Sequence, residues 1–290
     1  MRGRDNAEGG EETAMADTLN AKVLKKIVVT PGLMILRVAP VAGELPPFTP
    51  GQFALLGLPG SAPRDRLADD EANPPDPDEI VKRSFSIASS SRRSEYLEFY
   101  ITMVRSGQLT PRLYALTEGD RLFLSPRCFG VCTIDKAPAG SNIVLIATGT
   151  GLAPHMSMIR SDVTCYGARK FAVLHGAYHS WELGYRDELE TLGHHCVDFH
   201  YQPIISNEDG ADVTWRGPVG YVQRLWEEGY VERSWGFAPT PANTDIFIAG
   251  HPRMVESVST LLQEEGFAEP SAERPDGQIH VERFWDQTKK

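Results

Sequence analysis

Nine consecutive residues, Ile146-Ala147-Thr148-Gly149-Thr150-Gly151-Leu152-Ala153-Pro154, carry the strongest chemical signal in the chain. An apolar strand runs into the start of a helix through two glycines. Glycine lets the backbone approach a ligand closely, and the first amides of a helix lack intrahelical acceptors, so this turn suits a pyrophosphate. Pro154 stands where the usual dinucleotide fingerprint has its third glycine, so the match is partial. Plain strand-to-helix geometry needs the same kind of turn, and these residues alone leave both readings open.

Two further groups could act on one ligand. In Arg83-Ser84-Phe85-Ser86, alternation along a strand sets Arg83 and Phe85 on one face and Ser84 and Ser86 on the other. An arginine fits a pyrophosphate and an aromatic ring fits a flat conjugated system such as a flavin. Downstream, Gly107-Gln108-Leu109-Thr110-Pro111 is a glycine turn opening a short helix, with Thr110 as N-cap and Pro111 at the first helical position. The free amides and the Thr110 hydroxyl could hold the same phosphates, or Thr110 could simply cap the helix.

The elements that must position these residues fall into two styles. Lys22–Val29, Leu33–Ala39, Phe53–Leu58, Arg83–Ala88, Tyr96–Thr102 and Arg121–Leu124 read as short strands, with one helix over Gln108–Leu116. That pattern predicts a small antiparallel barrel. From Asn142–Thr148 onward, apolar strands alternate with helices: Gly151–Arg160, Phe171–Leu174, Leu183–Leu192, Cys196–Tyr201, Val219–Glu228, Ile246–Ala249 and Arg253–Glu265. This alternation predicts an open, Rossmann-like parallel sheet. The division expected is a tail over 1–17, a barrel domain over 18–138 and a parallel-sheet domain over 139–290, with the linker near Asp135–Ser141. The tail has no apolar core of a signal peptide, and Met15 is an alternative start.

Composition removes several classes. A net charge of −10 argues against nonspecific nucleic-acid binding. No apolar run approaches the ~20 residues of a membrane span, so a cytoplasmic protein is expected. Cys128, Cys132, Cys165 and Cys196 lack the spacing of an iron–sulfur run and are expected to be reduced. No metal site is expected. Charge is uneven: Gly60–Ile80 holds seven acids, while Val81–Arg127 holds eight bases against four acids. The basic stretch could face an anionic partner or be ordinary solvated surface; the acidic, Pro-rich stretch reads as an exposed, mobile insertion.

Taken in order, seven motifs resemble the ferredoxin–NADP reductase family, in particular its bacterial branch. They are Phe48-x-Pro-Gly-Gln-Phe53, Arg83-Ser-Phe-Ser86, Gly107-Gln-Leu-Thr110, Gly149-Thr-Gly-Leu-Ala-Pro154, Glu182-Leu-Gly-Tyr185, Gly250-His-Pro-Arg-Met254 and Val281-Glu-Arg-Phe-Trp285. The resemblance implies a six-stranded antiparallel FAD-binding barrel followed by a nicotinamide-nucleotide domain. It implies that Arg83 holds the FAD pyrophosphate, Phe85 lies against the isoalloxazine and Ser86 bonds near its N5. Ser84, Tyr100, Ile101, Gly107, Gln108, Leu109 and Thr110 join the FAD set. Gly149, Thr150 and Gly151 would bind the nicotinamide dinucleotide's pyrophosphate, with Gly250, His251 and Met254 beside the nicotinamide. Phe284 or Trp285 would cover the second flavin face, or anchor the terminus. Ser86 and Glu282 are the candidate catalytic groups.

The implied partners are NADP(H), with NADH possible, and ferredoxin or flavodoxin as an acidic electron carrier, steered by the segment Lys82–Arg127. Several positions depart from the family pattern. Phe85 stands for a tyrosine and Ala249 for a cysteine, and Asp286–Lys290 extends past the aromatic pair. Tyr178 and Asn207 occupy the positions of the arginines that grip the adenosine 2′-phosphate; Arg216, Arg224 or His179 could replace them. Two alternatives stay open: an NADH-dependent reductase serving an oxygenase or free flavin, and a non-catalytic flavin-binding relay subunit.

Overall fold

A computed structural model describes residues 19–167, 169–207 and 215–282. The expected tail over 1–17, with Met15, and the aromatic pair Phe284 and Trp285 lie outside the described residues. The chain divides into two compact units, one of residues 1–48 and 53–129, the other of 49–52 and 130–290. The change of unit falls at Phe129/Gly130, upstream of the stretch that the sequence suggests as a linker. Ile134 explains the earlier start, because its amide donates to the Pro50 carbonyl at 3.1 Å and ties that stretch into the second unit.

The first unit is built from β1 (Ala21–Thr30), β2 (Leu33–Pro40), β3 (Phe53–Pro59), β4 (Ile80–Ser86), β5 (Leu97–Thr102) and β6 (Arg121–Leu124), with α1 (Thr110–Ala115) between β5 and β6. The six strands run in the order β4-β3-β6-β1-β2-β5, and every pairing is antiparallel. Beyond Ser86 the chain turns onto β5: Ile87 bridges Phe99, and the Ala88 amide donates to the Glu98 carbonyl at 2.7 Å. One bridge thus brings the two ends of the strand order together, in the manner of a small barrel. That closure also ends β4 at Ser86, two residues before the expected end. Leu36, Leu56, Phe99, Ile101, Leu113 and Leu122 fill the interior, each fully buried. Such side chains stabilise by about 1.5–3 kcal/mol apiece relative to exposure.

β3 and β4 pair from Phe53↔Ser86 to Pro59↔Ile80, so residues 60–79 form one long hairpin connection. Most of these residues are exposed, as expected of this stretch, yet it is tied to the barrel at several points. Gly60 donates to the Glu79 carbonyl, Asp65 to the Pro111 carbonyl and Asp69 to the Arg105 carbonyl, at 2.9, 2.9 and 3.1 Å. Buried Arg112 pairs with Glu71 from the same connection at 2.9 Å. Two acids of this loop meet arginines that a reading along the chain sees as surface charge: Glu71 with Arg64 and Arg112, and Asp69 with Arg105.

In the second unit, β7 (Asn142–Thr148), α2 (Leu152–Asp162), β8 (Phe171–Ala177), α3 (Arg186–His195), β9 (Phe199–Ile205), α4 (Gln223–Glu227), α5 (Tyr230–Trp235), β10 (Thr244–Ala249), α6 (Pro252–Glu264) and β11 (Ile279–Glu282) follow in order. All four strand pairings are parallel, in the order β11-β10-β7-β8-β9. Ile143–Ala147 are wholly buried, as a strand covered on both faces requires. The chain winds outward from β7 through β8 and β9, then returns to the other side of β7 with β10. The crevice at the carboxyl ends of β7 and β10 is thus the topological switch point.

Local details differ from the expectation. The helix expected over Val219–Glu228 starts late, because Val219 is taken by a bridge to Ile205; α4 begins at Gln223, and Gly229, at φ 67°, separates it from α5, which lies beyond the expected span. β8 continues to Ala177 because His175 and Gly176 stay in the ladder with β7 and β9. Ile279–Glu282 forms an edge strand that its mixed sequence hid. The cysteines also need correction: Cys165 and Cys196 form a disulfide with Cα atoms 4.3 Å apart, while Cys128 and Cys132 are free. Cys165 follows α2 and Cys196 follows α3, and the β7-β8-β9 order brings those two helix ends together.

Candidate functional site

In the first unit the two groups noticed separately in the sequence meet. Arg83 on β4 donates from Nη2 to Gln108 Oε1 at 3.0 Å and from Nη1 to the Lys82 carbonyl at 2.7 Å. Both side chains line an open groove of about 720 Å³ with Pro75, Glu79 and Lys82. Two cations and Gln108 of the glycine turn on one groove are donors suited to a polyanion. Phe85 packs against the barrel core from the face it shares with Arg83, and Ser86 is buried beside it, whereas Ser84 is exposed. Tyr100 and Ile101 lie on β5 and are buried; the Ile101 carbonyl accepts the Tyr114 hydroxyl at 3.0 Å. Burial is the main cause that pushes the Tyr114 phenol above its ordinary range.

Thr110 does not cap the helix. Leu109 occupies the N-cap position without a side-chain bond, and Thr110 Oγ1 faces backwards. It accepts from the Val104 amide at 2.9 Å and donates to the Val104 carbonyl at 3.2 Å. The hydroxyl thereby closes the turn that Gly107 N–H also closes onto Val104 O, at 2.8 Å. A Cβ on Gly107 would crowd that carbonyl at 3.0 Å.

In the second unit, β7 ends in a short 3-10 turn, Gly149–Gly151, that leads into α2. Gly149 has φ 54° and faces open space, so the turn needs glycine for its backbone and leaves room in front. Gly151 is required for a different reason: a Cβ there would strike the carbonyl of Ala249 and the Cα of Gly250 at the end of β10. The residue capping α2 is Gly151 itself, so no side chain occupies its first amides. Thr148 joins the two strand ends, because its Oγ1 accepts from the His251 amide at 3.0 Å.

Gly250, at φ 141°, has no room for a Cβ, which would strike Thr148. His251 caps α6, with Nδ1 accepting from the Arg253 amide at 3.2 Å. Met254 lies on the buried side of that helix. Glu282 stands opposite Ala249 in the β10–β11 register, at the same end of the sheet. Burial, and then the Glu282 carboxylate, push the Cys132 thiol well above its ordinary range, so this cysteine is no thiolate nucleophile. Burial likewise pushes Cys128 up to about 11.

Beneath the glycine turn, α2 and β8 carry two wholly buried histidines. Burial lowers both His155 and His175 to about 3, with His175 adding to the effect on His155. His175 Nδ1 lies 3.1 Å from the Tyr201 hydroxyl. Both are neutral core residues.

At the end of β8, Tyr178 meets His179 edge-on at 4.5 Å, and His179 stacks on Trp181 at 4.2 Å. The Asn207 amide donates to the Tyr178 carbonyl at 3.0 Å, so the two positions that lack arginine are neighbours. Of the possible replacements, Arg224 is committed, to Glu228 at 2.6 Å and the Val219 carbonyl at 2.7 Å. Arg216 is exposed and lines a groove of about 550 Å³ with Ser180, Trp181 and Arg186.

Sequence reasoning missed Thr148, Arg64, Glu71 and Arg112. Thr148 had a local signal, as the last strand residue before the turn. The other three make contacts across 41 to 52 residues of chain, for which a single sequence carries no signal.

The model of the oxidoreductase NAD-binding domain family matches residues 145–260. The flavodoxin/ferredoxin–NADP reductase of Escherichia coli is 28% identical over 273 residues, 93% of this chain and 100% of that one. Ferredoxin–NADP reductase B of Sorangium cellulosum is 34% identical over 206 residues, 70% of this chain and 78% of that one. Among solved structures, a ferredoxin NADP+ reductase from Neisseria gonorrhoeae with bound FAD and NADP superposes with a TM-score of 0.75. It is 22% identical, and the match covers 91% of this chain and 98% of that chain.

Proposed function

The chain belongs to the ferredoxin–NADP reductase family, and from that premise we propose that it is an FAD-dependent enzyme exchanging electrons between NADP(H) and ferredoxin or flavodoxin. The observation that carries the cofactor part is the Arg83–Gln108 hydrogen bond, which joins the family's arginine motif to its glycine turn on one groove. Arg83 and the backbone of Gly107–Thr110 would hold the FAD pyrophosphate, Phe85 would support the ring and Ser86 would offer a hydroxyl beside it. FAD, when bound, supplies the passage between hydride exchange and single-electron exchange. Gly149, Thr150 and Gly151 would take the nicotinamide dinucleotide's pyrophosphate, and Gly250 and Glu282 lie at the same sheet end to line the nicotinamide. The protein's share of catalysis is alignment, an effect worth about 7–11 kcal/mol in well-oriented systems.

The nucleotide is read as NADP(H), with Arg216 as the cation for the 2′-phosphate. The exposed Tyr178 favours a second reading, an NADH-dependent reductase, because an aromatic gives a phosphate no charge. Among the described residues no helix is long and apolar enough to cross a membrane. For the carrier, exposed Arg92 and Arg93 on the β4–β5 connection are the candidate contacts, Arg93 lying 5.3 Å from the Tyr96 ring.

The first experiment is an anaerobic absorbance titration of the purified protein with NADPH and then NADH. Bleaching of a yellow spectrum is expected, with NADPH the more effective nucleotide. A yellow protein that neither nucleotide bleaches would leave only a flavin-binding relay. Preference for NADH would move the reading to the second one, and turnover of added FMN without a carrier would make it a flavin reductase. Reversing Arg92 and Arg93 to glutamate should slow carrier association mainly at low salt; an unchanged rate removes that surface from the carrier site.

A further inference from the structure

We propose that the connection between β3 and β4 is a positioning device for the Gly107–Thr110 turn, acting through Arg64, Glu71 and Arg112, and that it adapts the first unit to a flavin carrying a pyrophosphate. The proposal rests on the FAD reading above. A connection of 20 residues joining two paired strands is long for a compact domain, and connections of that length are usually functional. This one is anchored where the phosphate turn lies. Arg64 donates from Nη1 to the Gly107 carbonyl at 2.9 Å, and Arg112 donates from Nη1 to the Gln108 carbonyl at 2.6 Å.

Glu71 holds both arginines. Its Oε1 lies 3.1 Å from Arg64 Nη1 and 3.0 Å from Arg112 Nη1, and its Oε2 accepts from Arg112 Nη2 at 2.9 Å. Arg112 is only 3% exposed and completes its contacts on the Gly60 carbonyl, at 3.1 Å from Nε and 2.5 Å from Nη2. A buried guanidinium with one carboxylate and two carbonyls is satisfied and fixed in direction, which a surface arginine is not.

The consequence follows from peptide geometry. In a trans peptide the carbonyl and the next residue's N–H point in opposite directions. Holding the Gly107 carbonyl towards Arg64 aims the Gln108 amide the other way, and holding the Gln108 carbonyl towards Arg112 does the same for the Leu109 amide. Neither amide has a backbone acceptor among the described residues. Two adjacent amides are therefore fixed in direction before a ligand arrives, which lowers the cost of ordering the turn on binding. The same connection reaches the turn's side chain, because Gln108 Nε2 lies 3.4 Å from the Asn73 carbonyl while its Oε1 accepts from Arg83. Arg64, Glu71 and Arg112 thus act through the turn, as positioning residues.

The test is flavin titration of the full-length protein stripped of cofactor, followed by flavin fluorescence, with FAD and with riboflavin as the probe that lacks phosphate. Arg64→Met frees the Gly107 carbonyl while leaving the Glu71–Arg112 pair intact; Glu71→Gln loosens both arginines. Each variant should bind FAD about tenfold more weakly, the size of one lost charge-assisted hydrogen bond, and riboflavin within about twofold of the parent. If Glu71→Gln does not fold, Arg64→Met decides alone. Parent-like FAD affinity in Arg64→Met overturns the proposal, and so does an equal loss for FAD and riboflavin, which would mark general destabilisation. A parent that binds neither flavin would overturn the FAD reading itself, and the proposal with it.

Discussion

The two glycine turns of this chain, Gly107–Thr110 and Gly149–Gly151, have the same task in the reading above and are built by opposite means. The second is held by backbone sterics and one hydroxyl: Gly151 fits against Ala249, and Thr148 bonds the His251 amide. The first is held by charged side chains arriving from a distant connection, Arg64 and Arg112 on the turn's carbonyls with Glu71 behind them. A turn at a topological switch point gets its shape from two parallel strands that the sheet already fixes. A turn on a barrel rim has no such frame, and a long hairpin connection supplies it. The comparison teaches that one kind of turn breaks by adding an atom and the other by removing a charge.

The largest effect should come from adding that atom. Gly151→Ala puts a Cβ into the Ala249 carbonyl, and the backbone of the turn must move to relieve it. Misplacement on the ångström scale costs on the order of 100-fold in rate. NADPH-dependent kcat/KM should fall by about that factor while the flavin content of the purified protein stays that of the parent. Loss of flavin along with turnover would show that the two turns are not independent, against the comparison just drawn.

Acid should also separate the two regions. His155 and His175 are buried and neutral, lowered to about 3 from an ordinary 6.5. With folded pKa below unfolded, their stabilising contribution is complete above pH 6.5 and is lost as pH falls towards 3. Below pH 6.5 the unfolded histidines take protons that the folded ones refuse, at a cost approaching about 1.4 kcal/mol per pH unit for each. Thermal melts between pH 7.5 and 4.5 should show this decline, and His175→Gln should make it shallower, with His200, also lowered by burial, keeping a share. An unchanged slope in that variant would assign the acid sensitivity elsewhere.

A smaller effect is expected at Thr148. Thr148→Val removes the acceptor of the His251 amide and leaves a donor at the strand end unsatisfied. The loss is about 1 kcal/mol, or about fivefold, and should appear mainly in KM for NADPH, with Thr148→Ser restoring it. A fall in kcat at constant KM would mean that Thr148 acts on the reaction itself rather than on the turn.

The two regions also differ in how far the sequence exposed them. The switch-point turn was legible because its parts are contiguous: five buried apolar residues of β7 lead through Thr148 straight into the glycines. The barrel and parallel-sheet division was legible for a related reason, since strand alternation and apolar runs are local patterns. Arg83 and the Gly107 turn were expected to share one ligand, but the direct hydrogen bond from Arg83 to Gln108 was not visible. The role of the acidic connection was not legible because Glu71 meets Arg112, 41 residues on, only once β3 and β4 have paired. Thr110 was misjudged for the opposite reason, a strong local habit: threonine before proline usually caps a helix, and here its hydroxyl bonds back to Val104.

The smallest expected effect isolates the charge of Glu71 from its shape. Hydrogen bonding from Arg112 first, then the charges of Arg112 and Arg64, hold its carboxyl below the ordinary glutamate value against the opposing pull of burial. A carboxyl with folded pKa below unfolded contributes stability that is complete above the ordinary value, about 4.3, and is lost as pH falls through the folded one. Glu71→Gln lacks this contribution at every pH. The difference in melting temperature between the FAD-loaded parent and Glu71→Gln should therefore be constant well above the ordinary glutamate value of about 4.3 and should close as pH falls through the lowered folded one. The histidine decline is common to both proteins and cancels in the difference, so the closure reports the barrel-rim turn alone. A gap that persists unchanged to pH 3 would mean that the oxygen geometry of Glu71, and not its charge, holds the two arginines against the turn.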